Sequence, residues 1–258
     1  MNNIKDNFYE KIYKPFVEAI NKYELVKAGD KIAVCISGGK DSMLLAQLFK
    51  EYQKEIQVAF DMEYIVMDPG YNEKNRQKIE DNLKLLDIPA VIFETDIFSA
   101  VEDINKSPCY LCARMRRGCL YGKARELGCN KIALGHHYDD VIETILMSVI
   151  YGAQIQTMMP KLHSTNFPGM ELIRPLYLVR EDAIKEWRDY NGLEFILCAC
   201  RFTEKNADGS NENSKRLEIK KLIKELKKNN PNVEENIFKS VENVCLDGII
   251  SYKKVIDN

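Results

Sequence analysis

The chain reads as an α/β protein built on a parallel, doubly wound sheet, and three observations predict it. Apolar runs of strand length alternate with amphipathic helical stretches, the signature of parallel strands joined by crossover helices. The run 31–36 passes through two glycines directly into a helical pattern. A second run, 131–134, passes through Gly135 into another. In such sheets ligands sit beyond the carboxyl ends of the strands, so both passages fall where a site is expected.

Composition narrows the class. With 258 residues, 45% hydrophobic and 29% charged, the chain is an ordinary globular protein with a substantial core. No apolar run approaches the roughly 20 residues of a membrane span, and the polar start Met1-Asn2-Asn3-Ile4-Lys5-Asp6 lacks the apolar centre of a signal peptide. A cytoplasmic protein without a membrane partner is expected. The net charge of -2 excludes a general polyanion binder, so a nucleic-acid surface has to be local, and Arg114, Arg116, Arg117, Lys123 and Arg125 offer one. Eight cysteines in such a chain argue for metal or redox chemistry rather than a disulfide framework.

In order, Ile4, Phe8, Ile12, Phe16, Ala19 and Ile20 at helical spacing predict a leading packing helix over 5–24. After Gly29-Asp30 come a strand, 31–36, and a helix, 41–52. A second strand, 58–68, leads through Pro69-Gly70 to a helix over 72–86, and the turn Asp87-Ile88-Pro89 precedes a third strand, 90–94. Residues 97–107 read as a loop that delivers Pro108-Cys109-Tyr110-Leu111-Cys112 to a basic helix, 113–127, closed by Gly128. The strand 131–134 and a helix to Tyr151 follow, then a hairpin or excursion over 158–173, a helix over 180–191, and a short strand, 193–197, running into Cys198-Ala199-Cys200. Beyond the polar stretch 207–213, helices are expected over 214–228 and 233–245. The organisation predicted is an N-terminal helix (1–24), a main α/β domain (25–205) and a helical C-terminal extension (206–258).

The first turn, Ser37-Gly38-Gly39-Lys40-Asp41-Ser42, is an anion site in chemical terms. Glycines let the backbone approach a ligand, the first N–H groups of the helix have no internal partner, the helix dipole is positive there, and Lys40 adds a full charge. The glycines are adjacent, so this is not the phosphate loop with four residues between its glycines. The second turn, Gly135-His136-His137-Tyr138-Asp139-Asp140, sets two histidines and two acids at the same edge, more than a helix cap requires. Cys109 and Cys112 fit half a zinc site, a redox pair or part of an iron–sulfur centre, and Cys198-x-Cys200 is tighter than zinc usually takes. Cys35, Cys119, Cys129 and Cys245 read as small buried hydrophobes.

The string Ser-Gly-Gly-Lys-Asp-Ser resembles the PP-loop of the ATP pyrophosphatases. The resemblance implies their adenine nucleotide alpha hydrolase-like sheet, with Ser37, Gly38, Gly39, Lys40, Asp41 and Ser42 holding ATP phosphates with Mg2+ and Met67 reading adenine through its backbone. Over 25–205 the order of motifs, with Cys-x-x-Cys before an arginine-rich helix, Gly-His-His-x-Asp-Asp and a late cysteine, is similar to the tRNA 2-thiocytidine biosynthesis family. That similarity implies a [4Fe–4S] cluster on three cysteines, Cys109, Cys112 and either Cys198 or Cys200, with one iron open for sulfide. It places Gly135 and His136 against the nucleotide and Asp140 on the metal or phosphates, with His137 and Asp139 in support. Asp41, Arg116 and Asp140 become the catalytic candidates, Arg116 and its neighbour Arg117 stabilising transition-state charge or gripping tRNA phosphate. The implied reaction is adenylation of the C2 oxygen of a tRNA pyrimidine, cytidine first, and its replacement by sulfur, with release of pyrophosphate and AMP. The sulfur donor would be free sulfide or one fed by a cysteine desulfurase. The C-terminal extension is assigned to tRNA contact or homodimer formation. Rival readings are lysidine-type amidation, ATP-independent removal of sulfur from thiolated bases, and a non-catalytic ATP-binding iron–sulfur or zinc sensor.

Overall fold

A computed structural model describes residues 4–56, 58–102, 108–196 and 215–252. The amino-terminal segment forms α1 (Ile4–Phe8), a π-helical turn (Tyr9–Tyr13) and α2 (Lys14–Lys22). Its predicted apolar stripe, Ile4, Phe8, Ile12, Phe16, Ala19 and Ile20, is buried in full. Then come β1 (Lys31–Ile36), α3 (Lys40–Gln53), β2 (Asp61–Asp68), α4 (Glu73–Leu85), β3 (Ala90–Glu94), α5 (Ile97–Glu102), α6 (Pro108–Glu126), β4 (Lys131–Ala133) and α7 (Tyr138–Gly152). The remainder is β5 (Lys161–His163), β6 (Glu171–Ile173), α8 (Glu181–Tyr190), α9 (Lys215–Asn229), α10 (Val233–Ser240) and a 3-10 turn (Leu246–Gly248).

The described strands form one sheet in the order β3-β2-β1-β4-β6-β5, parallel except for the edge strand β5. The alternation along β1 assigns its two faces. Ile32, Val34 and Ile36 join the core of α1–α4 and α8, where Phe49 and Trp187 are also buried. Ala33 and Cys35 join Tyr121 and Ala124 of α6 on the other face. The chain adds β2 and β3 on one side of β1 and then crosses to β4 and β6 on the other. The carboxyl ends of β1 and β4 are therefore the switch point of the sheet, where a crevice for ligands is expected.

Three local expectations are corrected. The stretch 97–102 is helical rather than loop, and α6 begins at Pro108, so Cys109 and Cys112 share a helical turn instead of preceding the helix. Residues 193–196 carry no strand, because Leu193, Phe195 and Ile196 pack against the helical side of the core rather than on a sheet edge. Cys245 is exposed and Cys119 only half-buried, unlike the buried Cys35 and Cys129.

The described residues group into two compact units. The first runs to Asp139 and resumes at Met159; the second takes Asp140–Met158 together with the helices beyond residue 214. The unit boundary thus lies within α7, inside the stretch that sequence assigns to the ATP-binding domain. Among the described residues no helix is long and apolar enough to cross a membrane.

Candidate active site

The strand-to-helix turn after β1 is held by its own serines. Ser42 Oγ donates to Gly39 O (2.9 Å) and accepts from Ser37 N (3.1 Å), with Ser37 Oγ at 3.2 Å. Gly38 has φ +81°, and a Cβ there would lie 2.7 Å from Ile79 Cγ1 and 2.8 Å from Ile196 Cδ1, so this position has to be glycine. Gly39 caps α3 in extended conformation with no side-chain cap, so the first N–H groups of the helix stay available to an anion. Tyr71 Oη donates to Ser37 O at 3.2 Å and braces the loop from the β2 side. Asp68 orders that bracing turn, accepting from Gly70 N and Tyr71 N through Oδ1 and pairing with Arg76 through Oδ2.

Lys40 Nζ is shared between Asp41 Oδ1 (3.1 Å) and Glu181 Oε1 (3.2 Å), three side chains that are mostly buried. Asp41 Oδ1 is sealed from solvent and receives no well-angled hydrogen bond. A hard cation brought in with phosphate oxygens is suited to such an atom.

Gly135 lies close under this loop. A Cβ on it would meet Asp41 C and Ser42 N at 3.0 Å, both backbone atoms of the first turn of α3. The two predicted turns are therefore packed backbone to backbone. His137 is buried, with Nε2 3.8 Å from Asp41 Oδ1 and Nδ1 3.8 Å from Asp139 Oδ2. Asp139 caps α8 from outside, accepting from Glu181 N at 2.7 Å and pairing with Arg180 at 3.2 Å. It thereby fixes the helix whose Glu181 holds Lys40. His136 is half-buried in the same turn.

These parts can be set beside known proteins. A family model described as a PP-loop domain matches residues 6–203. The chain is 34% identical over 254 residues to the tRNA-cytidine(32) 2-sulfurtransferase of Paraburkholderia phytofirmans, covering 96% of this chain and 72% of that protein. It is 40% identical over 234 residues to that of Coxiella burnetii, covering 88% and 87%. The chain belongs to the PP-loop tRNA-cytidine(32) 2-sulfurtransferase family. A solved structure titled U34-tRNA thiolase NcsA from Methanococcus maripaludis with its [4Fe-4S] cluster shares the fold, with TM-score 0.69 and 23% identity over 89% of this chain and 76% of that one.

For a family member the cysteines ask whether this chain can hold such a cluster. Cys112 is buried with Met67 and Ile97, and Phe93, Phe98, Leu111 and Met115 pack around them. An apolar surround with a thiol in it suits a soft thiolate centre. Cys109 lies one helical turn earlier on α6, and Arg116 one turn later. Cys198 and Cys200 lie outside the described residues. Among the described residues no group of three or more His, Cys, Asp or Glu side chains converges on a metal. Met67 itself is a core side chain; its strand continues one pair beyond it along β3, while the ladder with β1 stops at Val66.

Asp140 belongs to the second unit and is paired there with Arg216. One turn on, Glu143 is buried, and burial, the largest influence, pushes its carboxyl up to about 7 against the pull of Lys220 and Arg216. Sequence reasoning missed Glu181, Tyr71, Asp68, Glu143 and Arg216. Glu181 pairs with Lys40 across 141 positions, and no local pattern reports such a contact. Glu143 alone had a signal, an acid among the apolar residues of α7.

Proposed function

We propose that this protein is an ATP-dependent tRNA thiolase that converts a tRNA cytidine to 2-thiocytidine. The observation that carries the reading is the packing of Gly135 against the first turn of α3, which joins the anion loop and the histidine–aspartate turn into one site. Family membership supplies the substrate class. ATP phosphates lie on the N–H groups of residues 39–42 and on Lys40, which exchanges its carboxylate partners for phosphate oxygens. Asp41 offers its buried Oδ1 to the accompanying Mg2+. His137 is buried beside that carboxylate, with Nε2 3.8 Å from Asp41 Oδ1.

The C2 oxygen of the base attacks the α-phosphorus and pyrophosphate leaves. A sulfide nucleophile then adds at C2, and AMP departs with the original oxygen. Activation is required because an amide-like oxygen is a poor leaving group. Cys109, Cys112 and one of Cys198 and Cys200 would hold a [4Fe–4S] cluster, which when bound supplies an open, soft iron for sulfur. Arg116, one turn beyond Cys112, would face the same region as a charge for transition state or tRNA phosphate. Free sulfide, or sulfide derived from a cysteine desulfurase, would serve as donor.

The test is anaerobic incubation of the protein with unmodified tRNA, ATP, Mg2+ and sulfide, followed by mass analysis of the digested nucleosides. We expect 2-thiocytidine in step with pyrophosphate. Pyrophosphate release that depends on tRNA but yields no thiolated base would remove this assignment and turn attention to another nucleophile.

A further inference from the structure

The turn after β2 and the start of α5 are stitched together by hydrogen bonds. Asp68 Oδ1 accepts from Gly70 N (2.9 Å) and Tyr71 N (2.7 Å), and Asp68 O accepts from Thr95 N at 2.8 Å. Phe98 N donates to Pro69 O at 3.0 Å. Gly70 takes φ +105°, a conformation that favours glycine, and Phe98 lies beside it. The result is a fixed aromatic pair. Tyr71 and Phe98 meet edge to face with ring centroids 6.0 Å apart and planes at 67°, and both are half-buried, so each still presents surface.

This pair stands between the anion loop and the thiol pocket. Tyr71 Oη donates to Ser37 O of the loop at 3.2 Å. Phe98 packs against Met67, Ile97 and the buried Cys112. The thiolation reaction places the same demand on its substrate: one pyrimidine ring has to offer its C2 oxygen to the α-phosphorus and then its C2 carbon to sulfur. We propose that Tyr71 and Phe98 form the platform on which the target pyrimidine stacks, so that C2 reaches both. This rests on the thiolase reading. A base that is to be modified has to leave its RNA stack, and an aromatic face returns the stacking it gives up. Adenine takes no part in the sulfur step, so nothing requires it on the thiol side of Tyr71. The Tyr71 hydroxyl registers the platform on the anion loop, while stacking itself needs only the ring.

The test uses full-length protein purified without oxygen, with unmodified tRNA, MgATP and sulfide. It reads kcat/KM for tRNA at saturating MgATP, KM for MgATP, 2-thiocytidine formed and iron content. Y71L and F98L should each lower kcat/KM for tRNA by about tenfold or more, the loss of one base–aromatic stack, with iron content unchanged. F98L should keep the wild-type KM for MgATP. Y71F keeps the ring and should leave kcat/KM for tRNA unaltered, while KM for MgATP rises about threefold with the lost hydrogen bond. A binding cycle separates stacking from folding: Y71L should bind unmodified tRNA more weakly than wild type does, yet bind equally well a transcript with an abasic residue in place of the thiolated cytidine. Wild-type kcat/KM for tRNA in Y71L and F98L, or equal weakening toward intact and abasic transcripts, overturns the platform. F98L that raises KM for MgATP and spares tRNA gives the rings to adenine and overturns it as well. A wild type that forms no 2-thiocytidine removes the thiolase reading, and the platform falls with it.

Discussion

Asp41 and Lys40 form a contact ion pair with a second acid, Glu181, on the far side of the lysine. Partly buried pairs of this kind resist screening better than surface ones, and Lys40 is held where an arriving phosphate meets it. Replacing Asp41 by Asn keeps the shape and removes the charge. We expect D41N to lower kcat/KM for MgATP by about 10²-fold or more with little change in thermal midpoint, as for a lost electrostatic contact in the transition state. Near wild-type pyrophosphate release would show that Asp41 carries no such charge. Asp68 gives a pH signature. Burial pushes its carboxyl up, but hydrogen bonds from Tyr71 N, Arg76 and Gly70 N outweigh that and hold its pKa below the ordinary value. The unfolded chain therefore takes up the proton first. This stability is complete above about pH 4 and is lost as pH falls from there through the folded pKa. In urea titrations at pH 7 and pH 3, D68N should be less stable than wild type at pH 7 and lose less on acidification; parallel losses would exclude this role.

At the scale of elements, two junctions hold the site. The first is Asp139 on the start of α8, a cap supplied from another element because Arg180 at the cap position makes no side-chain cap bond. D139A should cost about 1 kcal/mol of stability, as for a lost N-cap, and D139N less, since its oxygen still accepts. Chemical denaturation of both variants checks the order. The second is Gly135, whose absent Cβ lets the end of β4 lie against the first turn of α3. G135A has to push backbone apart and should cost about 1–3 kcal/mol, together with MgATP affinity. Unaltered ATP binding by G135A would mean that the two turns need not touch. The glycine turns and the His-Asp motif were legible because their chemistry is local. The cap on α8 was not, since Asp139 and Glu181 are 42 positions apart.

The whole molecule places its chemistry at one reversal of strand order, with the anion loop after β1 and the histidine–aspartate turn after β4. Helix α6, with Cys112 buried beneath it, covers the β1–β2–β4 face of the sheet. Protein purified without oxygen should contain about four irons and four sulfides per chain, with a broad absorption near 400 nm. C109A and C112A should each lose most of that iron, and of C198A and C200A only the variant lacking the third ligand should do so. One zinc and no sulfide in the wild type would rule out the cluster.

Sequence by itself determined the strand and helix alternation, the anion loop, the second turn and the cysteine spacing, because each is written in residues a few positions apart. It misread 97–102 and 193–196, where periodicity is weak and packing decides the backbone. Tertiary structure alone decided that Gly135 touches the anion loop, that Glu181 holds Lys40, and that Arg216 pairs with Asp140. Those contacts join residues far apart in the chain, and only burial in a common fold makes their charges and their missing side chains matter to one another.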